Sequence, residues 1–259
     1  MAAKRQIASP SSANRPPPGD RLSQSQNQNR LLAALPEEIY ARLALNLETI
    51  QLPLKQFLYK PGESVSHVYF PGGGFCSIVT VLADGSMVEV ATIGREGMLG
   101  LSSVSGGRRG ASAAMVQAET SICYRLSQAA YRREMDLRGP FYELLNAYAQ
   151  ALTGVIMQST ACNAVHSVEQ RLARWLLMAH DRVGTDEFLL TQEFVAMMLG
   201  ATRPTVTTVA GTLQRAGLIT YHRGHVAIVD RPALESASCE CYRAATELMT
   251  EVTAQAAGR

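Results

Sequence analysis

Residues 190–229 have the sequence LTQEFVAMMLGATRPTVTTVAGTLQRAGLITYHRGHVAIV, which predicts two short helices joined by a sharp corner. Thr191 can cap the first helix, whose apolar residues recur on one face. Gly200 can adopt the positive φ that a tight turn needs, and Thr202 can cap the second helix. Pro204 is tolerated in the first turn of that helix, where its missing N–H has no partner to lose. The pattern indicates helix, turn, helix.

The second helix, residues 203–215, has two different faces. Val206, Val209 and Leu213 recur at three- and four-residue spacing, so we expect them to face the core. The opposite face carries threonines and Arg203, whereas a merely solvated face would carry more Lys and Glu. Arginine can hold guanine O6 and N7 in a bidentate contact, and threonine can bond to a base edge or contact the thymine methyl group. This face suits the major groove of DNA.

A small hairpin is predicted directly after this helix. Gly217 ends the helix, and residues 218–221 and 226–229 alternate apolar and polar side chains on either side of residues 222–225. Two short core helices around a glycine corner also occur in all-α domains, so the helix pair alone leaves that alternative open. The hairpin, as a wing beside the helix pair, favours DNA binding.

The order T-Q-E-x-V-A-x-x-L-G-A-T-R-x-T-V from Thr191, with L-x-x-x-G-L-I ending at Ile219, resembles the DNA-binding domain of the Crp/Fnr superfamily of bacterial transcription regulators. The resemblance implies an α+β fold with an N-terminal antiparallel β-roll of the cyclic-nucleotide-binding-like type. A long dimerisation helix and a C-terminal winged helix-turn-helix would follow. It also implies a homodimer that binds double-stranded DNA, with RNA polymerase as a further partner.

The same resemblance implies roles for individual residues. Arg203 matches the base-reading arginine of the family, but Pro204 stands where an acidic residue is frequent, and Thr208 stands at a later basic position. Because proline cannot accept a hydrogen bond from cytosine N4, we expect a half-site different from that of the best-known members. The residues expected to contact bases are Arg203, Pro204, Thr207 and Thr208. Those expected to contact phosphates, which position the protein without specifying sequence, are Thr191, Gln192, Thr202, Thr205, His222 and Arg223.

Length and composition fit a globular protein of two domains. The chain has 259 residues and an apolar fraction of 47%, which is enough for two cores. The formal net charge of +2 says little about nucleic acid, because a dimer can concentrate arginine on one face. The N-terminus lacks an apolar signal segment, and no apolar run has membrane-spanning length. We therefore expect a cytoplasmic protein without a membrane partner.

Five cysteines, at positions 76, 123, 162, 239 and 241, are expected to be reduced thiols. Cys239 and Cys241 invite a metal or redox interpretation, but no further Cys or His pair has finger-like spacing. An iron–sulfur cluster needs about four converging thiolates, and Cys76 lies inside a predicted strand. Haem ligation by His67 or Cys76 is conceivable, although such residues in a β-roll usually pack or face solvent. The expectation is no metal, no haem and no iron–sulfur cluster, with cysteines that fill space.

The chain ahead of the helix pair divides by composition. Residues 1–29, rich in Ser, Pro, Gln and Asn, are predicted to form a disordered arm. Residues 30–136 are predicted to form the sensor domain, since short runs of β-branched and aromatic residues alternate with turn signals. Residues 75–82 and 86–93 flank Asp84-Gly85 and predict a hairpin. This stretch is similar to the cyclic-nucleotide-binding-like domain of the family, including Pro61-Gly62-Glu63.

Members that bind a cyclic nucleotide need an acid for the ribose hydroxyl and an arginine for the cyclic phosphate. The resemblance places these positions at Met98 and at Ser112 and its neighbour, so both charged anchors are missing and control by cyclic AMP is not expected. Glu96, Arg108 and Arg109 lie nearby but displaced along the chain; a rebuilt site and a charged rim are both open, and the rim is favoured. The degenerate effector pocket comprises Gly97, Met98, Leu99, Ser112 and Ala113.

Residues 137–165 predict a long helix whose apolar residues step alternately by four and three, as in helix pairing. The alternative is a helix buried against its own β-roll, and Leu144, Ile156 and Met157 could serve that face; both can hold. The resemblance places the dimer seam of the family on this helix. The predicted dimer interface consists of Phe141, Leu145, Tyr148, Leu152, Val155 and Ser159.

Residues 166–259 are predicted to form the DNA-binding domain, and two features frame it. Ser167 and Gln170 have the spacing of a capping box, which predicts a helix ahead of the helix pair. A final helix over residues 234–254 exceeds the usual ending of the family, and its role is open.

Three classes of function can be compared. The leading hypothesis is a homodimeric, sequence-specific regulator that reads a palindromic site through residues 203–215. The alternative is a sensor in which an unidentified small molecule in the β-roll gates DNA binding. An enzyme has little support, since the chain has no Walker loop, no H-E-x-x-H and no G-x-S-x-G.

Overall fold

The computed structural model describes residues 23–101, 112–118 and 120–257. It is an α+β fold with a β-roll, a long helix and a C-terminal winged helix-turn-helix, as predicted. The strands are β1 (Leu47–Leu52), β2 (Phe57–Tyr59), β3 (His67–Pro71), β4 (Phe75–Val81), β5 (Met87–Ile93), β6 (Ala113–Ala118), β7 (Thr120–Ser127), β8 (Glu187–Leu189), β9 (Ile219–His222) and β10 (His225–Ile228). The helices are α1 (Arg30–Ala33), α2 (Glu37–Ala44), α3 (Gln128–Asp136), α4 (Pro140–Val165), α5 (Val168–Val183), α6 (Gln192–Leu199), α7 (Arg203–Arg215), α8 (Arg231–Ala237) and α9 (Cys241–Ala257).

The predicted disordered arm lies partly outside the described residues, and its last part is ordered against the roll. A 3-10 turn at Gln24–Gln26 precedes Asn27 and Asn29, which are both buried. The Asn29 side chain accepts from two N–H groups of α1 and donates to the carbonyl oxygens of Pro71 and Gly97, each at 2.9 Å. For residues 23–29 the prediction of disorder is therefore wrong, because amide side chains satisfy backbone groups that a composition count does not register.

The β-roll consists of two antiparallel sheets. Their strand orders are β1-β7-β3 and β2-β6-β4-β5. The predicted hairpin is present as β4 and β5, with Val81 opposite Met87 and Gly85 in the connecting turn at φ 83°. The Ser86 hydroxyl donates to the Asp84 carboxylate at 2.6 Å and stabilises that turn.

The long helix α4 packs along the roll, and this corrects the predicted dimer interface. All six interface residues lie on its buried face, and they belong to the core shared with β3, β5 and β7 or to its edge. Tyr148, for example, is fully buried, and its hydroxyl donates to the Met98 carbonyl oxygen at 2.9 Å. A repeat of three and four residues fits burial against the roll as well as pairing between helices. These six side chains are not available to a second copy: Phe141, Leu145, Tyr148, Leu152, Val155 and Ser159.

The C-terminal segment forms two helices rather than the single predicted one. The helical conformation is interrupted between α8 and α9, where Ser238 is extended. Cys239 and Cys241 are buried at this interruption. Helix α9 then lies along α4, with Ala245, Met249 and Val252 in the core of the roll. Gly154 of α4 allows this close approach, since a Cβ there would meet the Leu248 side chain at 3.2 Å.

The DNA-binding domain packs directly on the roll. Phe75 and Val79 of β4 share a core with Trp175 of α5, and the Phe75 and Trp175 rings meet edge to face at 5.9 Å. Arg182 of α5 forms an ion pair with Glu96 of the roll at 2.7 Å, and both side chains are nearly buried. Glu96, which the sequence placed in a charged rim, therefore forms a contact between the two domains. Arg108 and Arg109, the other two residues of that rim, lie outside the described residues.

None of the helices described is both long enough and apolar enough to cross a membrane.

Candidate nucleic-acid interface

Local capping interactions form the helix-turn-helix. The Thr191 hydroxyl accepts from the Phe194 N–H at 3.3 Å, and the Thr202 hydroxyl accepts from the Thr205 N–H at 3.4 Å. Between them Gly200 ends α6 in the left-handed region at φ 58°, as the sequence predicted. The Ala201 N–H donates back to the Ala196 carbonyl oxygen at 3.0 Å, which closes the corner.

Helix α7 buries one face and exposes the other. Val206, Ala210 and Leu213 are buried beneath it, whereas Val209, expected in the core, is only partly buried. The methyl side chain of Ala210 permits closer packing than the branched side chain of Val209. The face predicted to contact bases is exposed, and it consists of Arg203, Pro204, Thr207 and Thr208.

The hydroxyls on this exposed face are ordered by the helix itself. Thr207 donates to the Gln192 side-chain oxygen at 2.8 Å or to the Arg203 carbonyl oxygen at 3.0 Å, and Thr208 donates to the Pro204 carbonyl oxygen at 3.1 Å. The methyl groups and oxygen lone pairs therefore remain for a ligand. Within the described part of the chain, the Arg203 guanidinium forms neither an ion pair nor a side-chain hydrogen bond with another residue. Its N–H groups are therefore free to bind a ligand.

The residues predicted to contact phosphates surround this face. Thr191 and Thr202 are the two N-cap residues, and both are exposed. Gln192 and Thr205, one at the start of each helix, are half-buried. His222 and Arg223 lie at the tip of the wing and are exposed. Helix N-termini present unpaired N–H groups, which suit phosphate oxygens.

The wing is a three-stranded sheet of order β8-β10-β9, and its first strand was not predicted. Strand β9 runs one residue further than expected, because His222 pairs with His225. The turn is therefore only two residues long, with Arg223 at φ 50° and Gly224 at φ 82°. Positive φ at both positions is the type I′ geometry that matches strand twist. It projects the Arg223 side chain from the tip.

The described residues of the predicted effector pocket pack against other parts of the protein. Met98, Leu99 and Ala113 are fully buried, and Ser112 is half-buried at the edge of the described chain. A Cβ at Gly97 would lie 2.6 Å from the Tyr148 hydroxyl, so the tyrosine ring occupies the space in front of that glycine. Burial raises the pKa of Tyr148 well above its ordinary value of 10.0, which keeps the phenol neutral.

The five cysteines are not all separated from one another, as the prediction of space-filling residues assumed. Cys76 and Cys123 are buried in the strands of the roll, as expected for Cys76. In contrast, Cys162, Cys239 and Cys241 converge with His166, and their ligand atoms all lie within 4.8 Å of one another. Sequence reasoning considered the Cys239 spacing but missed Cys162-x-x-x-His166, which has the spacing of one helical turn.

Two family models match the chain on either side of α4. A cyclic nucleotide-binding domain matches residues 49–137, and a Crp-like helix-turn-helix domain matches residues 170–237. The global nitrogen regulator of Synechococcus elongatus is 25% identical over 218 residues, which cover 80% of this chain and 96% of that protein. These relatives are transcription regulators, not enzymes.

Solved structures show the same fold. A CRP-family transcriptional regulator from Thermus thermophilus is similar with a TM-score of 0.61 and 21% identity, over 73% of this chain and 96% of that one. The c-di-GMP responsive global regulator CLP of Xanthomonas campestris is similar with a TM-score of 0.60 and 15% identity, over 74% of this chain and 98% of that one. With the roll, the exposed α7 and the wing in this order along the chain, the chain belongs to the Crp/Fnr superfamily of DNA-binding transcription regulators.

Proposed function

We propose that the protein is a homodimer that reads a palindromic DNA site, with one α7 in each of two successive major grooves. The observation that carries this proposal is the exposed face of α7, where Arg203 extends from a helix N-terminus beside ordered threonines. We further propose that the protein acts in the cytoplasm and that the DNA-bound dimer contacts RNA polymerase. The two half-sites would be about one helical turn apart, roughly 34 Å.

The chemistry of α7 suggests how the half-site is read. Arg203 would bind guanine O6 and N7, and the Thr207 and Thr208 methyl groups would contact thymine. Pro204 offers no acceptor to cytosine N4. The Thr191 and Thr202 hydroxyls and the wing residues His222 and Arg223 would hold phosphates and set the position of α7.

The exposed face of α4 is the surface we propose for the second copy. Here Gln150, Thr153, Met157, Thr160 and Ala164 step alternately by three and four residues, and all are exposed. Met157 is 67% exposed, which is unusual for a large apolar side chain without a partner. The threonine hydroxyls donate to carbonyl oxygens of their own helix, so their methyl groups face outward. Such a stripe supports parallel helix pairing.

We propose that DNA binding does not depend on cyclic AMP. Support comes from Met98 at the position of the ribose-binding acid and from the Tyr148 ring against Gly97. The alternative is a sensor in which another small molecule gates DNA binding. The two functions differ in whether ligand-free protein binds its operator, because a sensor of this kind would not.

Selection of binding sites from random duplex DNA tests the proposal. Purified, ligand-free protein at a stated salt concentration should recover a palindrome. The Arg203→Ala variant should lose preference at one symmetric base pair, worth about 1 to 3 kcal/mol. Arg243→Ala is the matched control, because that side chain is exposed on α9 and its removal alters net charge equally.

The control should keep the palindrome and its affinity. Weak binding without a preferred sequence, falling steeply with salt, would contradict effector-independent readout. An unchanged selection by the Arg203→Ala variant would contradict the proposed role of α7.

A further inference from the structure

Three thiols and one imidazole converge where α4 ends and α9 begins. Cys162 lies in the last turn of α4, and His166 is the C-cap residue of that helix. Cys239 lies in the break between α8 and α9, and Cys241 is the first residue of α9. All three thiols are buried and form a cluster separate from the two apolar cores. The four residues thus join segments that are far apart in the chain.

The distances within this cluster match one tetrahedral ion. Zinc binds sulfur at about 2.3 Å and nitrogen at about 2.0 Å, so tetrahedral edges of about 3.8 Å between sulfurs and about 3.5 Å between sulfur and nitrogen are expected. The Cys162 and Cys239 sulfurs are 3.5 Å apart, and the Cys241 sulfur is 3.6 Å from His166 Nδ1. All four ligand atoms lie within 4.8 Å of one another. An iron–sulfur cluster would need more room between its thiolates.

Neighbouring side chains orient the four groups. With Nδ1 facing the thiols, His166 directs Nε2 to the Glu240 carboxylate at 3.3 Å. Carboxylates that accept from the outer nitrogen fix the tautomer and ring orientation of metal-binding histidines. The Gln158 amide nitrogen donates to the Cys241 sulfur at 3.1 Å, a contact that stabilises a thiolate.

The surrounding charge also points to an anionic cluster. Arg171 and Arg174 lie on the first turns of α5, and the Nε atom of each is buried with no hydrogen-bond partner among the described residues. Buried guanidinium groups normally pair with an anion. The buried Glu89 carboxyl lies near Arg174, whereas the sulfurs of Cys162 and Cys239 lie near Arg171. Three thiolates around a divalent ion would carry a net charge of −1, opposite in sign to the two arginines.

We propose that Cys162, His166, Cys239 and Cys241 bind one zinc ion. Soft thiolates with one imidazole are the donors that zinc prefers, and four protein ligands leave no open position, as in structural rather than catalytic sites. Each thiol releases its proton to solvent when the metal binds. The ion links α9 to the end of α4 and so holds in place the segment at which the DNA-binding domain begins.

Metal analysis of the full chain, purified in reducing buffer without chelator, tests the proposal. We expect one zinc per chain by mass spectrometry. After the zinc is removed, cobalt(II) should restore one metal per chain and give the visible absorption of tetrahedral cobalt, with thiolate-to-metal bands in the near ultraviolet.

Matched variants separate metal binding from folding. Cys239→Ser and His166→Gln should lose stoichiometric metal and the tetrahedral cobalt spectrum, whereas Cys123→Ser, which removes an equally buried thiol from the roll, should keep both. Circular dichroism identifies any variant that fails to fold. If Cys239→Ser is unfolded, His166→Gln and the cobalt spectrum of the native chain still decide.

Two results would overturn the proposal. One is native protein with five free thiols that binds neither zinc nor cobalt. The other is a Cys162–Cys239 disulfide in protein kept under reducing conditions. These experiments measure metal content and not DNA binding. If the zinc proposal fails, the proposed function is therefore unaffected.

Discussion

The indole nitrogen of Trp175 donates to the Glu89 carboxylate at 2.8 Å, and this bond joins α5 of the DNA-binding domain to β5 of the roll. Glu89 also accepts from the hydroxyls of Ser77 and Thr92. Burial raises the pKa of Glu89 above its ordinary value of 4.5, although its three donors act in the opposite direction. The contact between domains therefore contains a titratable group.

The Glu89 carboxyl should make the stability of the fold depend on pH. Because its folded pKa is raised, its contribution is complete below pH 4.5 and is lost as pH rises through the folded pKa. Glu89→Gln should remove this component while its side-chain oxygen still accepts from Trp175. Urea unfolding between pH 4.5 and 8, followed by the fluorescence of Trp175, the single tryptophan, measures it. Equal pH dependence in both proteins would contradict the raised pKa.

The Arg182–Glu96 pair should stabilise the fold far more than an exposed pair. Its side chains are 10% and 12% exposed, and the Arg182 Nε donates to Glu96 at 2.9 Å. Arg182→Met alone leaves a buried carboxylate without its partner and should cost about 3 kcal/mol in unfolding free energy. Adding Glu96→Gln should restore most of this loss.

The exposed Arg243–Glu247 pair supplies the control for that experiment. Its side chains are 80% and 64% exposed, so Arg243→Met should cost less than about 0.5 kcal/mol. Similar losses at the two pairs in urea unfolding would show that the domain contact does not bury Arg182 in solution.

Gly97 should tolerate no side chain. A Cβ there would lie 2.6 Å from the Tyr148 hydroxyl and 2.8 Å from its ring, so Gly97→Ala should destabilise by about 1 to 3 kcal/mol. Tyr148→Leu in the same chain should relieve part of that overpacking. Gly73→Ala is the control, since nothing lies within 4 Å of a Cβ at that position. Thermal unfolding of the four proteins is the measurement, and a neutral Gly97→Ala would mean that the pocket is open.

Met157 should control the oligomeric state. A carboxylate at the centre of the exposed α4 stripe would be desolvated by a second copy, so Met157→Asp should shift the protein from dimer to monomer in analytical ultracentrifugation. Leu45→Asp alters an equally apolar side chain that is 60% exposed but lies outside the stripe, and it should remain dimeric. A dimeric Met157→Asp protein would move the interface elsewhere.

Local patterns predicted much of the fold and the exposed face of α7. Thr191, Gly200 and Thr202 specify the helix-turn-helix through caps and one positive φ, interactions that span only a few residues. Asp84-Gly85 specified the β4–β5 hairpin in the same way. Such signals depend on backbone chemistry at one place in the chain, and they can be recognised without knowledge of what packs against them.

Features that depend on distant neighbours could not be predicted in this way. The repeat on α4 marks an apolar face, but nothing in its period says whether the roll or a second helix covers it, and the roll does. Cys162 and Cys239 lie 77 residues apart, and only the return of α9 onto α4 brings their sulfurs together. His166 as a neighbour of Cys241 follows from the same return.

The packing of α5 on β4 and β5 has a practical consequence for any attempt to divide this protein. A fragment that begins at residue 166 would expose Trp175 where Phe75 now covers it, and would leave Arg182 without Glu96. It would also lose Cys162 from the thiol cluster. Although two family models describe the chain in two pieces, one of the two apolar cores contains residues of both pieces, and the DNA-binding domain should be expressed and assayed together with its roll.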